Sequence, residues 1–166
     1  MTPSELCELN DIQDPKARYF RYVDTKQWSR FRSLFTDDAV FEGTSVFPDG
    51  PDDFVEKTSA RLRSAVSIHQ GHMPEIRLID ADNARGIWAM YDHVTFAKPA
   101  TDGPFAGHWG FTGYGYYQEA YRKIDGHWKI SFLRLTRLSL VPLTDETATF
   151  ALPAGLLAAT ENGWLD

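Results

Sequence analysis

Along the first sixty-five residues apolar positions recur every three or four places, and from residue 66 onwards they alternate with polar ones in long runs broken at Gly, Pro, Asn and Asp. The chain therefore divides into a helical front and a strand-rich back. In DPKARYFRYVDTKQW, Asp14 is placed to cap a helix and Pro15 to open it, where a missing N–H costs little; Ala17, Phe20 and Val23 supply the apolar stripe. SRFRSLF predicts a further helical turn or two before TDD breaks it, and AVFEG reads as a short strand. After Gly50 and Pro51, DDFVEKTSARLRSAV predicts a third helix with Phe54, Thr58, Leu62 and Ala65 at helical spacing. Strands are expected over 66–79, 84–97, 109–124 and 127–141, with turns at DADN, PATDGP and DG. Asp125-Gly126 is the strongest hairpin signal, because a type I′ turn needs positive φ at both central residues.

Helices followed by a strand meander imply an α+β fold in which the helices cover one face of a curved antiparallel sheet. The expected organisation is an N-terminal extension over 1–14, one domain over 15–141, and a tail over 142–166 that packs on the domain or on a neighbouring subunit. A chain of 166 residues, 43% hydrophobic and 14% aromatic, can bury one substantial core. Cys7 stands alone, so no intrachain disulfide forms. The acidic N-terminus has no long apolar run, and no segment approaches the roughly 20 apolar residues that span a bilayer. A net charge of −6 without a basic cluster argues against nucleic acid. The expected location is cytoplasmic.

Alternation in WAMYDHVTF places Asp92 on one strand face with Trp88, Met90, Val94 and Phe96. A carboxylate among apolar side chains needs a partner or water, since burying it alone costs several kcal/mol or neutralises it. Tyr19, Tyr22 and Asp24 on the first helix, His69 and His72 in SIHQGHMPEI, and Asp92 and His93 are the parts of a small acid/base site. Histidine moves protons near neutral pH, a carboxylate fixes its tautomer, and a tyrosine hydroxyl stabilises an enolate oxygen. Each also has a plain structural role open to it, as a core tyrosine or a satisfied strand histidine. His-x-x-His on a strand does not put both rings on one face, which argues against a metal site. Parity groups His72 with Val66, Ile68, Ile76 and Leu78, but a bulge near Gly71 or Pro74 would reverse that grouping.

ARYFRYVDTKQW, SLFTDDAVFEG, IHQGHMPEI, ADNARGIWAMYD and YQEAYRKIDGHWKISFLRLTRL, in this order and spacing, resemble the SnoaL-like branch of the nuclear-transport-factor-2-like superfamily. The resemblance implies a conical barrel, with three N-terminal helices folded over a strongly bent antiparallel sheet to enclose an apolar pocket. Within that branch the sequence is similar to the bile acid 7α-dehydratase, scytalone dehydratase and hexachlorocyclohexane dehydrochlorinase groups. The site residues of the first group fall on Tyr19, Asp24, His69 and Asp92, and the Asp–His dyad of the dehydrochlorinase group falls on Asp24 and His69, so the resemblance selects His69 over His72. It implies a cofactor-independent, metal-free dehydratase for a hydrophobic hydroxylated carbonyl compound of steroid-like or polyketide-like type. His69 would take the proton, Asp24 orient it, Tyr19 polarise the carbonyl and Asp92 assist the leaving hydroxyl. Isomerisation, cyclisation or a non-catalytic ligand-binding role are the alternatives. Tyr22, Trp88, Phe96, Trp109, Phe111 and Tyr114 are expected to line the pocket, and Arg134 to enter it and bind an anionic group. The resemblance also implies a homo-oligomer, a trimer or else a dimer, joined through a convex sheet face bearing Tyr116, Gln118 and Tyr121.

Overall fold

The computed structural model describes residues 2–43, 47 and 49–146. Helix α1 (Pro3–Asp11) leads almost directly into α2 (Gln13–Asp24), followed by α3 (Trp28–Ser33), strand β1 (Phe35–Glu42) and α4 (Gly50–Leu62). The meander β2 (Val66–Leu78), β3 (Asn83–Thr95), β4 (Gly110–Ile124) and β5 (His127–Leu143) completes the fold. Among the described residues the sheet has five strands in the order β1-β5-β4-β3-β2. The meander pairs antiparallel, and β1 joins the edge parallel to β5. The helices-then-meander order thus stands, with an open, mixed sheet as its detailed form.

Residues 3–11, expected as an extension, form α1. Thr2 and Glu5 make a reciprocal capping box at its start, and Glu8 accepts from Lys123 Nζ at 2.5 Å and Trp128 Nε1 at 2.8 Å, which ties the helix to the β4–β5 hairpin. Pro15 cannot donate to the carbonyl four residues earlier, and the helical run is interrupted at Ile12. Asp14 is consequently inside the first turn of α2, bonded to Arg18 at 3.1 Å, rather than at the expected cap.

The buried face of α2 carries Pro15, Lys16, Tyr19, Tyr22 and Val23, while Ala17 faces solvent. The apolar stripe is therefore rotated from the one expected, and it contains a lysine. Lys16 Nζ lies 2.5 Å from Glu119 Oε1 and over the rings of Tyr19 and Tyr117. Glu119 also accepts from the Tyr121 hydroxyl, which accepts from Trp88 Nε1 at 2.8 Å. Each polar group in this buried line has a partner, as the low dielectric demands.

The hairpin turn is as predicted, with φ of 50° at Asp125 and 80° at Gly126. Helix α3 ends at Ser33, just before TDD, and TDD itself belongs to β1, which begins at Phe35 ahead of the expected AVFEG strand and is irregular between Phe35 and Val40. Three further irregularities decide which side chains face inward. On β2, Met73 and Pro74 stand against the single residue Trp88, and on β5 the extra residues are Ser131 and Leu138. Residues 142 and 143 finish β5, and the rest of the expected tail from residue 147 lies outside the described residues.

Candidate active site

The concave face of the sheet and helices α2 and α4 enclose a cavity of about 110 Å³. Its polar lining includes Tyr19, Glu42, Thr58, His69, Asp92, Tyr117 and Arg137, and Phe41, Phe47, Phe54 and Phe111 supply aromatic walls. At the mouth stand Lys57 and Arg61 of α4. Residues 44–46 and 48 of the segment between β1 and α4 lie outside the described residues.

Asp24, the last residue of α2, sits behind His69. Its Oδ1 is 2.6 Å from His69 Nδ1 and accepts from Ser67 Oγ at 2.9 Å, while Oδ2 accepts from the His69 backbone N–H at 2.7 Å. Three donors thus replace the stabilisation that the negative end of the helix withholds. A carboxylate so close requires Nδ1 to carry the proton, leaving the lone pair on Nε2. Among the described residues Nε2 has no hydrogen-bond partner, and the ring lines the cavity.

The bulge at Met73–Pro74 explains the choice of histidine. Before it, Ser67, His69 and Gly71 face inward; after it, Ile76 and Leu78 do. His72 belongs to the outer face, where it adjoins Tyr91 and Tyr114.

Asp92 lies directly across the ladder from His69, but its partner is Arg137. Nη1 and Nη2 donate to Oδ1 and Oδ2, both at 2.7 Å, in a two-bond fork. Carboxylate and guanidinium are 3% and 19% exposed, which leaves little solvent to screen them. Burial lowers the Arg137 pKa and Asp92 more than offsets it, so the guanidinium is held above its ordinary value. Its Nε is buried without a hydrogen-bond partner among the described residues. Gly113 makes the fork possible: a Cβ there would stand 2.2 Å from both Arg137 Nη1 and Asp92 Oδ1.

Tyr19 and Tyr117 pack edge to face with ring centroids 5.7 Å apart. Burial raises both phenol pKa values above the ordinary value; Glu119 and Asp92 add to this at both rings, and Arg137 opposes it at Tyr117, so both phenols keep their protons. Burial pushes the Lys16 ammonium the other way, down to about 8, against the attraction of Glu119.

The structure thus brings Tyr19, Asp24, His69 and Asp92 together, and Phe111 into the wall. Other expected lining residues lie elsewhere. Trp88 is core, bonded to Tyr121, and Tyr22 is packed in the core beneath Arg21. Phe96 lines a separate surface cleft with Phe105, and Trp109 joins the ladder edge through Phe96 and Leu143. Tyr114 is on the outer face, its ring tilted against Tyr91, because residues three apart on a strand cannot share the face of Phe111. Tyr121, expected on the convex face, is 1% exposed in the core. Arg134 is also outside, paired with Glu42 at 2.6 Å: the Ser131 bulge turns it outward and brings Leu133, Leu135 and Arg137 in. Sequence reasoning missed Tyr117 and Arg137; alternation from Phe111 gives the first, but nothing in the sequence marks the bulge that gives the second.

Residues 4–134 match the SnoaL-like domain model. The chain belongs to the SnoaL-like domain family. Among curated proteins, this SnoaL-like chain is 30% identical over 139 residues to "Probable cyclase FGR4" of Gibberella zeae, covering 76% of this chain and 89% of that one. Among solved structures it superposes on a hexachlorocyclohexane dehydrochlorinase, LinA type 2, with TM-score 0.71, 22% identity and coverage of 90% and 97%. A scytalone dehydratase candidate from Novosphingobium aromaticivorans gives TM-score 0.73, 20% identity and coverage of 95% and 99%. These likenesses support a SnoaL-like enzyme that converts small molecules. Among the described residues no group of three His, Cys, Asp or Glu could hold a metal ion, and no helix is long and apolar enough to cross a membrane.

Proposed function

We propose that the chain is a cofactor-independent lyase that eliminates water from a small, hydrophobic hydroxylated carbonyl compound. The observation that carries this reading is the Asp24–His69 pair, 2.6 Å apart, with the ring at the wall of an apolar cavity. His69 Nε2 takes the proton on the carbon next to the carbonyl, and the C–H electron pair forms an enolate. Of the Tyr19–Tyr117 pair, whose hydroxyls hydrogen-bond each other, one phenol donates to the enolate oxygen, with the Arg137 charge nearby. Asp24 holds the imidazolium. As the enolate collapses, the C–O bond at the next carbon breaks, and the hydroxyl leaves with the proton returned by His69 as water. Asp92 does not serve as the acid, because an ionised carboxylate clasped by Arg137 only accepts; it holds Arg137.

The cavity limits the substrate. Pockets for drug-sized ligands run to about 300–1,000 Å³, whereas an apolar cavity of about 150 Å³ holds benzene. At about 110 Å³ the site is nearer in size to a single ring than to a steroid skeleton. The cyclase relative supports a second outcome of the same enolate, in which the carbon attacks an electrophile within the substrate.

The test uses 3-hydroxycyclohexanone and related single-ring β-hydroxy ketones. Elimination gives the conjugated enone, seen by its ultraviolet absorbance and by loss of one water from the mass. A product of unchanged mass would favour isomerisation, and no turnover of any member of the series would leave binding alone.

A further inference from the structure

Two neighbours of the Asp24–His69 pair have no part in the reaction above. Helix α2 ends at Asp24, and two residues later Lys26 adopts φ of 62°, a left-handed conformation that a lysine side chain disfavours. From there Lys26 Nζ reaches 2.7 Å from Ser67 Oγ. Ser67 Oγ in turn lies 2.9 Å from Asp24 Oδ1, the oxygen that also meets His69 Nδ1. An ammonium donates and cannot accept, so Ser67 receives a bond from Lys26 and directs its one hydroxyl proton at Asp24. The line runs in one direction, from Lys26 through Ser67 to Asp24, and ends on the carboxylate oxygen that the ring also meets.

We propose that Lys26 and Ser67 are positioning residues that fix the Asp24 carboxylate and offset its charge, keeping His69 a neutral base to lower pH than the Asp24–His69 pair alone would. The proposal rests on reading His69 as the base. An uncompensated carboxylate against an imidazole favours the imidazolium, which cannot take a proton, and a cation one hydroxyl away opposes that bias. Ser67 is buried and Lys26 partly so, which leaves their field less screened than at a surface. Burial lowers the Lys26 pKa while Asp24 raises it, the same attraction seen from the lysine.

The other groups around the ring do not duplicate this role. From β3 and β5, Asp92 and Arg137 face each other and largely cancel. From α2 and β4, Tyr19 and Tyr117 are neutral. From α4, Lys57 is bonded to Asp53 and Arg61 lines the same cavity, and from β1 Glu42 is paired with Arg134.

The experiment follows the His69 ring directly, by nitrogen and carbon resonances of histidine-labelled full-length protein, assigned with His69→Gln. In Lys26→Met the pH at which the ring gains its second proton should rise by about half a unit to one unit, and Ser67→Ala should move it the same way. Lys26→Arg should restore the wild-type value. Overlaid titrations of wild type and Lys26→Met would overturn the proposal, as would equal shifts in the Met and Arg variants, which report packing alone. The readout needs no substrate. Loss of the lyase reading, seen as His69→Ala turning over at the wild-type rate, is therefore distinguishable from loss of this one.

Discussion

Asp92 and Arg137 meet through two parallel hydrogen bonds of 2.7 Å beneath a glycine that could not be any other residue without breaking them. This pair answers the question that an aspartate on an apolar strand face raises. Removing one partner leaves a buried charge, which costs about 3–5 kcal/mol, while an apolar pair of similar volume is often neutral. Arg137→Met should therefore lower the unfolding free energy in urea by that amount, and Asp92→Leu/Arg137→Met should recover most of it. Equal stability of single and double variants would refute the ion pair as described.

Gly113→Ala tests the same relationship without removing a charge. The new Cβ would stand 2.2 Å from Asp92 Oδ1 and 2.2 Å from Arg137 Nη1, so both must shift. The expected result is a stability loss of about 1–3 kcal/mol, as for overpacking, together with loss of turnover. Gly103→Ala is the wrong control because φ there is positive; an exposed alanine such as Ala106→Gly serves better.

Lys16 makes stability depend on pH with a definite sign. Its pKa falls from 10.5 to about 8 on folding, so between those values the unfolded chain binds more protons and this group's contribution to stability rises with pH. The buried tyrosines act oppositely: their pKa values are raised, so above about 10 the unfolded chain loses protons first and their contribution falls. Urea midpoints measured from pH 7 to 10 should rise less steeply in Lys16→Met than in wild type. An identical slope would show that Lys16 does not titrate in that window.

The outer face of the sheet exposes Ile68, Ile87, Tyr114, Tyr116 and Leu140, and an open groove of about 830 Å³ runs past Ile87, Phe132 and Arg134. Apolar side chains grouped in this way favour contact with another surface. The expected occupant is a second copy of the chain, and Ile87→Lys/Tyr114→Glu should reduce the mass seen by sedimentation equilibrium. A wild-type monomer at micromolar concentration would remove this expectation.

Element order, the four meander strands and the Asp125-Gly126 hairpin were legible because long alternation and a type I′ turn are local properties. Which residues face the cavity was less so. Alternation counts residues, and the bulges at Met73–Pro74, Ser131 and Leu138 each add one that the partner strand does not match. From residues alone His72 therefore looked as good as His69, and Arg134 was expected in the pocket while Arg137 went unnoticed. Tyr114 and Tyr117 differ: strict alternation from Phe111 already separates them. Lys16, Ser67 and Lys26 escaped because their roles depend on contacts more than forty residues away in sequence.

The most direct test of the acid/base account is kcat/KM of His69→Ala beside wild type, on whichever single-ring β-hydroxy ketone wild type converts. Circular dichroism and urea midpoints would establish that the variant is folded. Losing the general base should lower kcat/KM by about 10²–10⁴-fold. A folded His69→Ala protein that eliminates water at the wild-type rate would contradict the account.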